Sequence, residues 1–397
     1  MRNRNETIIF HNTAKENGFL WFWGLKEDVL FKAKQNDADI VHLCCYQKKK
    51  HTGSLYGKIE KYENKLIGVP LSADEILIYD CHTGTDRYVP LPRHIFNEEF
   101  ACRGKFWDIV MDERYAYLIG YWSNKILKFD LFKEKISEVL EPDIESGRVC
   151  KDIFFKKAAL YGDDLVVPSC QANIVYVIDK HSMAYRVREF KGTNDGFASL
   201  LIDGGDVWLA PRRNGKFVRW NPETDDADYL EYPEECKTAK PSYGFLEKTE
   251  NGILAFPLHA KGVLCINPET SELHIDSQLT EICGKEDGRI QKTGFTEIEG
   301  KEIIIYSWQE GCFIKCNTKT GSIQKSRIQY ADAYYRSIME KEWERNGYVN
   351  EANCPLTIFI HNIEEPQRSA VDEQLYFSVS ENRKRGEYRS IWSGECR

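Results

Sequence analysis

Residues 75 to 92 read EILIYDCHTGTDRYVPLP, and this stretch decides the fold. EILIYD has the β-branched, aromatic and alternating character of a half-buried strand, and TDRYVP alternates again with more polar residues. Between them Asp80, His82, Thr83 and Gly84 supply the chemistry of a tight turn. The passage is a β-hairpin. The same phrase returns as KILKFD ending at Asp130, IVYVID at Asp179, KFVRWN at Asn221, GVLCIN at Asn267 and CFIKCN at Asn317, so the marker residue recurs roughly every 42 to 50 residues. A period of about 40 to 50 residues is that of a four-stranded propeller blade.

Two further strands precede each hairpin. The nearer ones are KLIGVP, AYLIGYW, DLVVPSC, DVWLAPRR, GILAFPL and EIIIYSW; the more distant ones are LYGKIEKY, KFWDIVMD, KDIFFKKA, GFASLLID, YGFLEKTE and KTGFTEIE. The first forty-odd residues fit the same unit as TIIFHN, GFLWFWG, DVLFKAK and DIVHLCC. The expectation is an all-β, seven-bladed β-propeller of four-stranded blades over residues 1–330, with blades near 7–47, 54–92, 105–142, 151–191, 196–233, 241–279 and 290–330. One blade cannot bury both faces of its sheet, so blades pack radially and consume the chain's aromatic residues as filler. Closure of the ring is expected from blade packing alone, or from TIIF or LTIFI crossing into a neighbouring blade.

Residues 331–397 leave the repeat and form a C-terminal extension, partly helical and packed on the propeller. ADAYYRSIMEKEWERNGY places Tyr334, Ile338 and Trp343 among Glu and Lys and predicts a helix of about four turns. Pro355 and Pro366 then bracket the strand-like LTIFIHNI, and a basic tail follows.

The strand, Asp, x, x, Thr-Gly, strand phrase resembles propellers of the YncE-like, quinoprotein-like and virginiamycin-lyase-like group, over roughly residues 7 to 330. The resemblance implies the fold and leaves the function open. For a virginiamycin lyase it would further imply a central His and Glu with a metal, a set not placed in this sequence. Neither a WD dipeptide series nor a kelch-type series of di-glycines repeats along the chain.

Composition narrows the class. The chain has 397 residues, 42% of them hydrophobic and 29% charged, with a formal net charge of -8. Disorder is excluded, and an acidic balance argues against a general nucleic-acid binder. No apolar run has the length of a membrane span, and MRNRNETIIFHN lacks the apolar core of a signal peptide, so a cytoplasmic protein without membrane association is expected. The 13 cysteines are odd in number and contain no CxxC pair, which reads as reduced, buried thiols.

Propeller topology sorts charge by face. Connections between blades, and those between the second and third strands within a blade, emerge together; this set carries Lys48 to Lys50, Lys105, Lys151, Arg212, Arg213, Lys261 and Lys292. The opposite face collects Asp163, Asp164, Asp203, Glu223 and Glu269. The first face therefore reads as a basic funnel for a phosphate, carboxylate or acidic sugar, with Arg as forked clamp and Lys as point charge. Glu98, Glu99, Glu234 and Glu235 lie in the same loops and offer the plainer reading of local neutralisation. Of the adjacent arginines, the pleat turns one towards the channel, and alignment with Leu71 and Leu258 selects Arg212. Trp23, Trp122 and Trp308 close strands on the same rim, as sugar-stacking platforms or, taken singly, as fillers between blades.

Catalytic motifs are sparse: GxSxG, HExxH, a Walker loop and a strand-linked GxGxxG are absent. Asp108 and Asp152 open equivalent inner strands, and His259 sits on the rim; together they are the candidate acid, base or metal ligands of a lyase or hydrolase at the channel mouth. Each Asp could instead cap its own loop. The sequence thus points to a propeller that binds an anionic or glycan-like small molecule or a peptide, with a channel-mouth enzyme and a pure protein-interaction scaffold as rivals. It assigns no metal site and identifies no cofactor.

Overall fold

The computed structural model describes residues 8–16, 18–25, 28–34, 39–45, 54–92, 104–121, 123, 125–142, 157–193, 195–213, 215–236, 242–258, 260–283, 293–308 and 310–330. They form seven antiparallel sheets arranged in sequence order, each with four consecutive strands, and the first carries a fifth. The innermost strands are Ala14–Glu16, Tyr56–Tyr62, Phe106–Met111, Ala159–Tyr161, Phe197–Asp203, Tyr243–Thr249 and Thr293–Glu299. This is the seven-bladed propeller expected from the repeat. The predicted helix of the C-terminal extension, LTIFIHNI and the basic tail lie outside the described residues.

The repeating Asp or Asn works as a turn lock. Asp80 Oδ1 accepts the backbone N–H groups of His82 and Thr83, each at 2.9 Å, and Asn267 Oδ1 accepts those of Glu269 and Thr270 at 2.8 and 3.2 Å. Asp130, Asp179, Asn221 and Asn317 repeat the pattern. Four residues on, the chain turns left-handed, with φ of 71° at Gly84 and 68° at Gly321; Glu134, Met183, Asp225 and Ser271 hold the equivalent positions at 50° to 63°.

The core lies between blades. Each neighbouring pair shares a buried apolar layer, for example Ile67, Val69 and Ile78 of blade 2 against Phe106, Leu118 and Leu127 of blade 3. Outer strands are exposed: all five residues of Ile323–Arg327 face solvent. Inner strands are also tied charge to charge, with Lys15 on Glu297 and Glu299, Lys61 on Glu16, and Lys248 on Asp203.

The seam between the last and first blades differs from the expectation. TIIF is not an inner strand; that role falls to Ala14–Glu16. Ile8, Ile9 and Phe10, at most 1% exposed, instead form a wedge between blades 7 and 1, with Phe10 packed on Phe22, Phe295, Tyr306 and Phe313. Three successive apolar residues buried on all sides do not suit an alternating strand. Beyond the outer strand of blade 7, Gln329–Tyr330 crosses to pair in parallel with Asp39–Cys45, the outer strand of blade 1. The ring therefore closes by a short added strand as well as by packing.

On the face where the inner strands begin, a bulge recurs. Gly57, Trp107, Ala198, Gly244 and Gly294 each drop out of the pairing with the second strand of their blade. At Gly244 a Cβ would fall inside the contact radius of Leu258 Cγ, and at Gly294 inside that of the Trp308 indole, so the residue that follows each second strand folds down over its own bulge.

Candidate functional site

The bulges set the level of the channel mouth, and at the corner of blades 4 and 5 two arginines lie there. Arg212 donates its backbone N–H to Gly196 O and its Nη1 to Cys170 O, both at 2.9 Å, which draws its guanidinium across the inter-blade gap. Burial pushes its pKa down, and the neighbouring Arg213 adds to this. Arg213 is half-buried, and its Nη2 is shut off from solvent without a hydrogen-bond partner. Asp195, half-buried beside them, receives the N–H of Gly196 on Oδ1 at 2.8 Å and pulls the Arg212 pKa the other way. Gly196 is required there, because a Cβ would collide with the backbone of Cys170.

A band of rings runs across the same level. Trp107 packs on Tyr121 with ring centroids 4.6 Å apart and on His11 at 4.5 Å, and His11 reaches Trp308 at 5.5 Å. Leu71 and Cys170 complete this buried cluster with Trp107 and Tyr121. The repeat itself marked Trp107: it holds the bulge position where three other blades have glycine.

Four other residues singled out from the sequence, Trp23, Trp308, Lys105 and Asp108, are spent inside the protein. Trp23 is 1% exposed and meets Tyr56 edge-on at 4.7 Å, between blades 1 and 2. Trp308, 2% exposed, donates its indole N–H to Phe10 O at 2.9 Å. Lys105 is 1% exposed and donates to Ser72 O at 2.8 Å and Ala73 O at 2.9 Å, with Asp74 at 3.2 Å; it pins blade 3 to blade 2. Asp108, at 3% exposure, pairs with Lys58 on one oxygen and accepts the Ala158 N–H on the other at 3.1 Å. Burial alone would raise its pKa, but Lys58 and Lys157 more than offset this and hold it below the usual carboxylate range. Lys261 is exposed. Trp122, Lys151, Asp152, His259 and Lys292 lie outside the described residues, so the structure brings together only Arg212 and Arg213 of the predicted set.

On and beside the inner strands is a charged group that sequence reasoning missed. Lys157, just ahead of the inner strand of blade 4, lies within electrostatic reach of Asp108, Glu247 and Glu60, on blades 3, 6 and 2. Burial raises the Glu247 carboxyl to about 7, against the pull of Lys157 and of Thr296, whose Oγ1 donates to Glu247 Oε1 at 2.7 Å. Burial likewise raises Glu60, opposed first by Lys58. Among the described residues, no group of three or more His, Cys, Asp and Glu is placed to hold a metal ion.

No protein-family model and no curated protein matches the chain. Solved propellers do. The extracellular domain of a one-component system from B. thetaiotaomicron aligns with a TM-score of 0.53 at 13% identity over 81% of this chain, which spans only 39% of that domain. Streptogramin B lyase aligns at 0.51 and 13% identity, over 82% of this chain and 94% of the lyase. A chain of the mitotic checkpoint complex aligns at 0.54 and 11%, over 83% and 89%. The likeness to the virginiamycin-lyase kind of propeller, read first from the repeat, thus holds at the level of the fold.

Proposed function

We propose that this protein is a non-catalytic binding propeller whose channel mouth, at the corner of blades 4 and 5, receives the anionic group of a small molecule or of a peptide. The observation that carries this reading is Arg213 Nη2, buried without a partner next to a second guanidinium. Two like charges side by side, one of them with a buried N–H left without a partner, are costly, and an anion bridging them relieves both the repulsion and the unmade hydrogen bond. A neutral glycan is less well served, because Trp23 and Trp308 present almost no ring surface to a sugar. The rival lyase or hydrolase needs Asp108 free to exchange a proton, and that carboxylate is engaged by Lys58 and the Ala158 N–H.

The test is a thermal-shift screen of phosphates, di- and tricarboxylates, acidic sugars and peptides with free carboxylates, since a ligand of the native state raises the melting temperature. A hit whose shift disappears in Arg213→Ala, and weakens with salt, supports the reading. Equal shifts in wild type and Arg213→Ala overturn it.

A further inference from the structure

We propose that the ligand of the mouth is a small acidic zwitterion, held by its anionic groups on Arg213 and Arg212 and by an ammonium on Asp195; an amino acid with a second carboxylate is the simplest member of that class. The proposal rests on the anion-binding role of Arg213 and adds the cation that the ligand carries.

Two facing segments of blade 5 bear the charges. Thr193, Asp195 and Gly196 precede the inner strand Phe197–Asp203, and Arg212, Arg213, Gly215 and Lys216 follow the second strand, Asp206–Pro211. Phe197 pairs with Pro211 at the base. Beyond that pair Arg212 donates its backbone N–H to Gly196 O at 2.9 Å, and further out Lys216 donates its own to Thr193 Oγ1 at 3.2 Å. Asp195 lies between these two ties on one segment and Arg213 lies between them on the other, so the backbone brackets the pair. Gly215 shows how closely the segments approach: a Cβ there would lie 3.6 Å from Asp195 Cβ and 2.8 Å from Thr193 Oγ1. Arg213 Nη2 is nevertheless buried with no hydrogen-bond partner, so the Asp195 carboxylate does not bond it. A cation and an anion framed by the same two ties, with a guanidinium N–H unmade, match a ligand that brings both charges.

Charge then narrows the class. Two guanidiniums and one carboxylate leave one positive charge at this corner, which two anionic groups and one ammonium neutralise. A dicarboxylate without the amine sets its second charge against Asp195. Asp195 Oδ1 accepts the Gly196 N–H at 2.8 Å, and a carboxylate offers about four acceptor positions, so an ammonium joins the bonds already made.

L-Glutamate and glutarate are the probes, alike in chain length and carboxylates and different in the amine, with affinities measured by titration calorimetry at neutral pH and fixed ionic strength. The wild type should bind glutamate about tenfold more tightly than glutarate or better, as a charged hydrogen bond to Asp195 gives. Asp195→Asn keeps an oxygen for the Gly196 N–H; it should bind glutamate more weakly and glutarate more tightly, a reversal that misfolding does not produce. Arg213→Ala should weaken both. Equal binding of the two acids by the wild type, with both weakened by Arg213→Ala, overturns the zwitterion and leaves anion binding at the mouth in place. Binding of both that Arg213→Ala does not weaken overturns the two readings together. Absence of glutamate binding, or equal weakening of both acids by Asp195→Asn, also overturns the zwitterion.

Discussion

The indole nitrogen of Trp308 donates a 2.9 Å hydrogen bond to the carbonyl oxygen of Phe10, joining the last blade to the segment that precedes the first. Tyr306 does the same at Ile8, through its hydroxyl at 2.7 Å. Phe10 itself is 0% exposed among four other aromatic rings. Phe10→Ala should therefore cost about 3 to 5 kcal/mol, the usual range for emptying a buried aromatic position. Chemical denaturation measures this, and a loss under about 1 kcal/mol would show that the wedge contributes little to closure.

Lys105 makes a second prediction. Its ammonium satisfies two carbonyl oxygens that no water reaches easily, so Lys105→Met should destabilise the fold by about 1.5 to 3 kcal/mol, the range for a charged hydrogen bond. Ligand binding by the folded variant should persist. Unchanged stability with lost binding would return Lys105 to the ligand site.

The bulge glycines predict a compensating pair. Gly244→Ala drives a methyl into Leu258 and should cost about 1 to 3 kcal/mol, as overpacking does. In a Leu258→Ala background the same change should cost far less. A double-mutant cycle in melting temperature reads the coupling, and additive effects would show that the two side chains do not meet.

Acid should act unevenly around the ring. Asp80 is held below its usual range chiefly by the Thr83 N–H, and Asp179 chiefly by Ser182. A carboxylate with a lowered folded pKa contributes stability that is complete above its unfolded value, about 3.9, and is lost as pH falls through the folded value. Asn221, Asn267 and Asn317 hold the same turns without a titrating group. Hydrogen exchange near pH 3 should show the turns of blades 2 and 4 opening before those of blades 5 to 7, and Asp179→Asn should abolish the difference at its own turn. Glu247 works in the opposite sense. Its raised pKa favours the folded state at low pH, and that advantage is lost as pH rises from its unfolded value to about 7, so Glu247→Gln should flatten this part of the stability profile.

The blades were legible in the sequence because their signal is local. An Asp or Asn that accepts two N–H groups within three residues does so in any context, and strand alternation is read against the turn it frames. The seam was not, since TIIF has the composition of a strand and only the presence of blade 7 makes it a wedge. For tryptophan, residue type tells that a ring must be buried against something but not whether that something is a ligand; Trp23 and Trp308 are buried against neighbouring blades. Lys157 and Glu247 are 90 positions apart in the numbering and come within electrostatic reach of each other only because the ring bends back on itself. Their trace in the sequence was charge on inner strands, at Lys58, Glu60, Asp108 and Glu247, where solubility does not require it.

The parallel joint of Gln329–Tyr330 with Asp39–Cys45 has a consequence for how the chain acquires its shape. During synthesis blade 1 emerges first, and its outer strand waits with an unpaired edge until nearly three hundred further residues have left the ribosome. Such an edge is a template for pairing with another chain, and contacts of this sequence separation are slow to form. Blades 2 to 6 can condense progressively against their predecessors, but circularity is established in a single late event. Within the ring, the first blade is thus the earliest made and among the last to be secured, and the interval between the two is when the nascent protein has most need of protection.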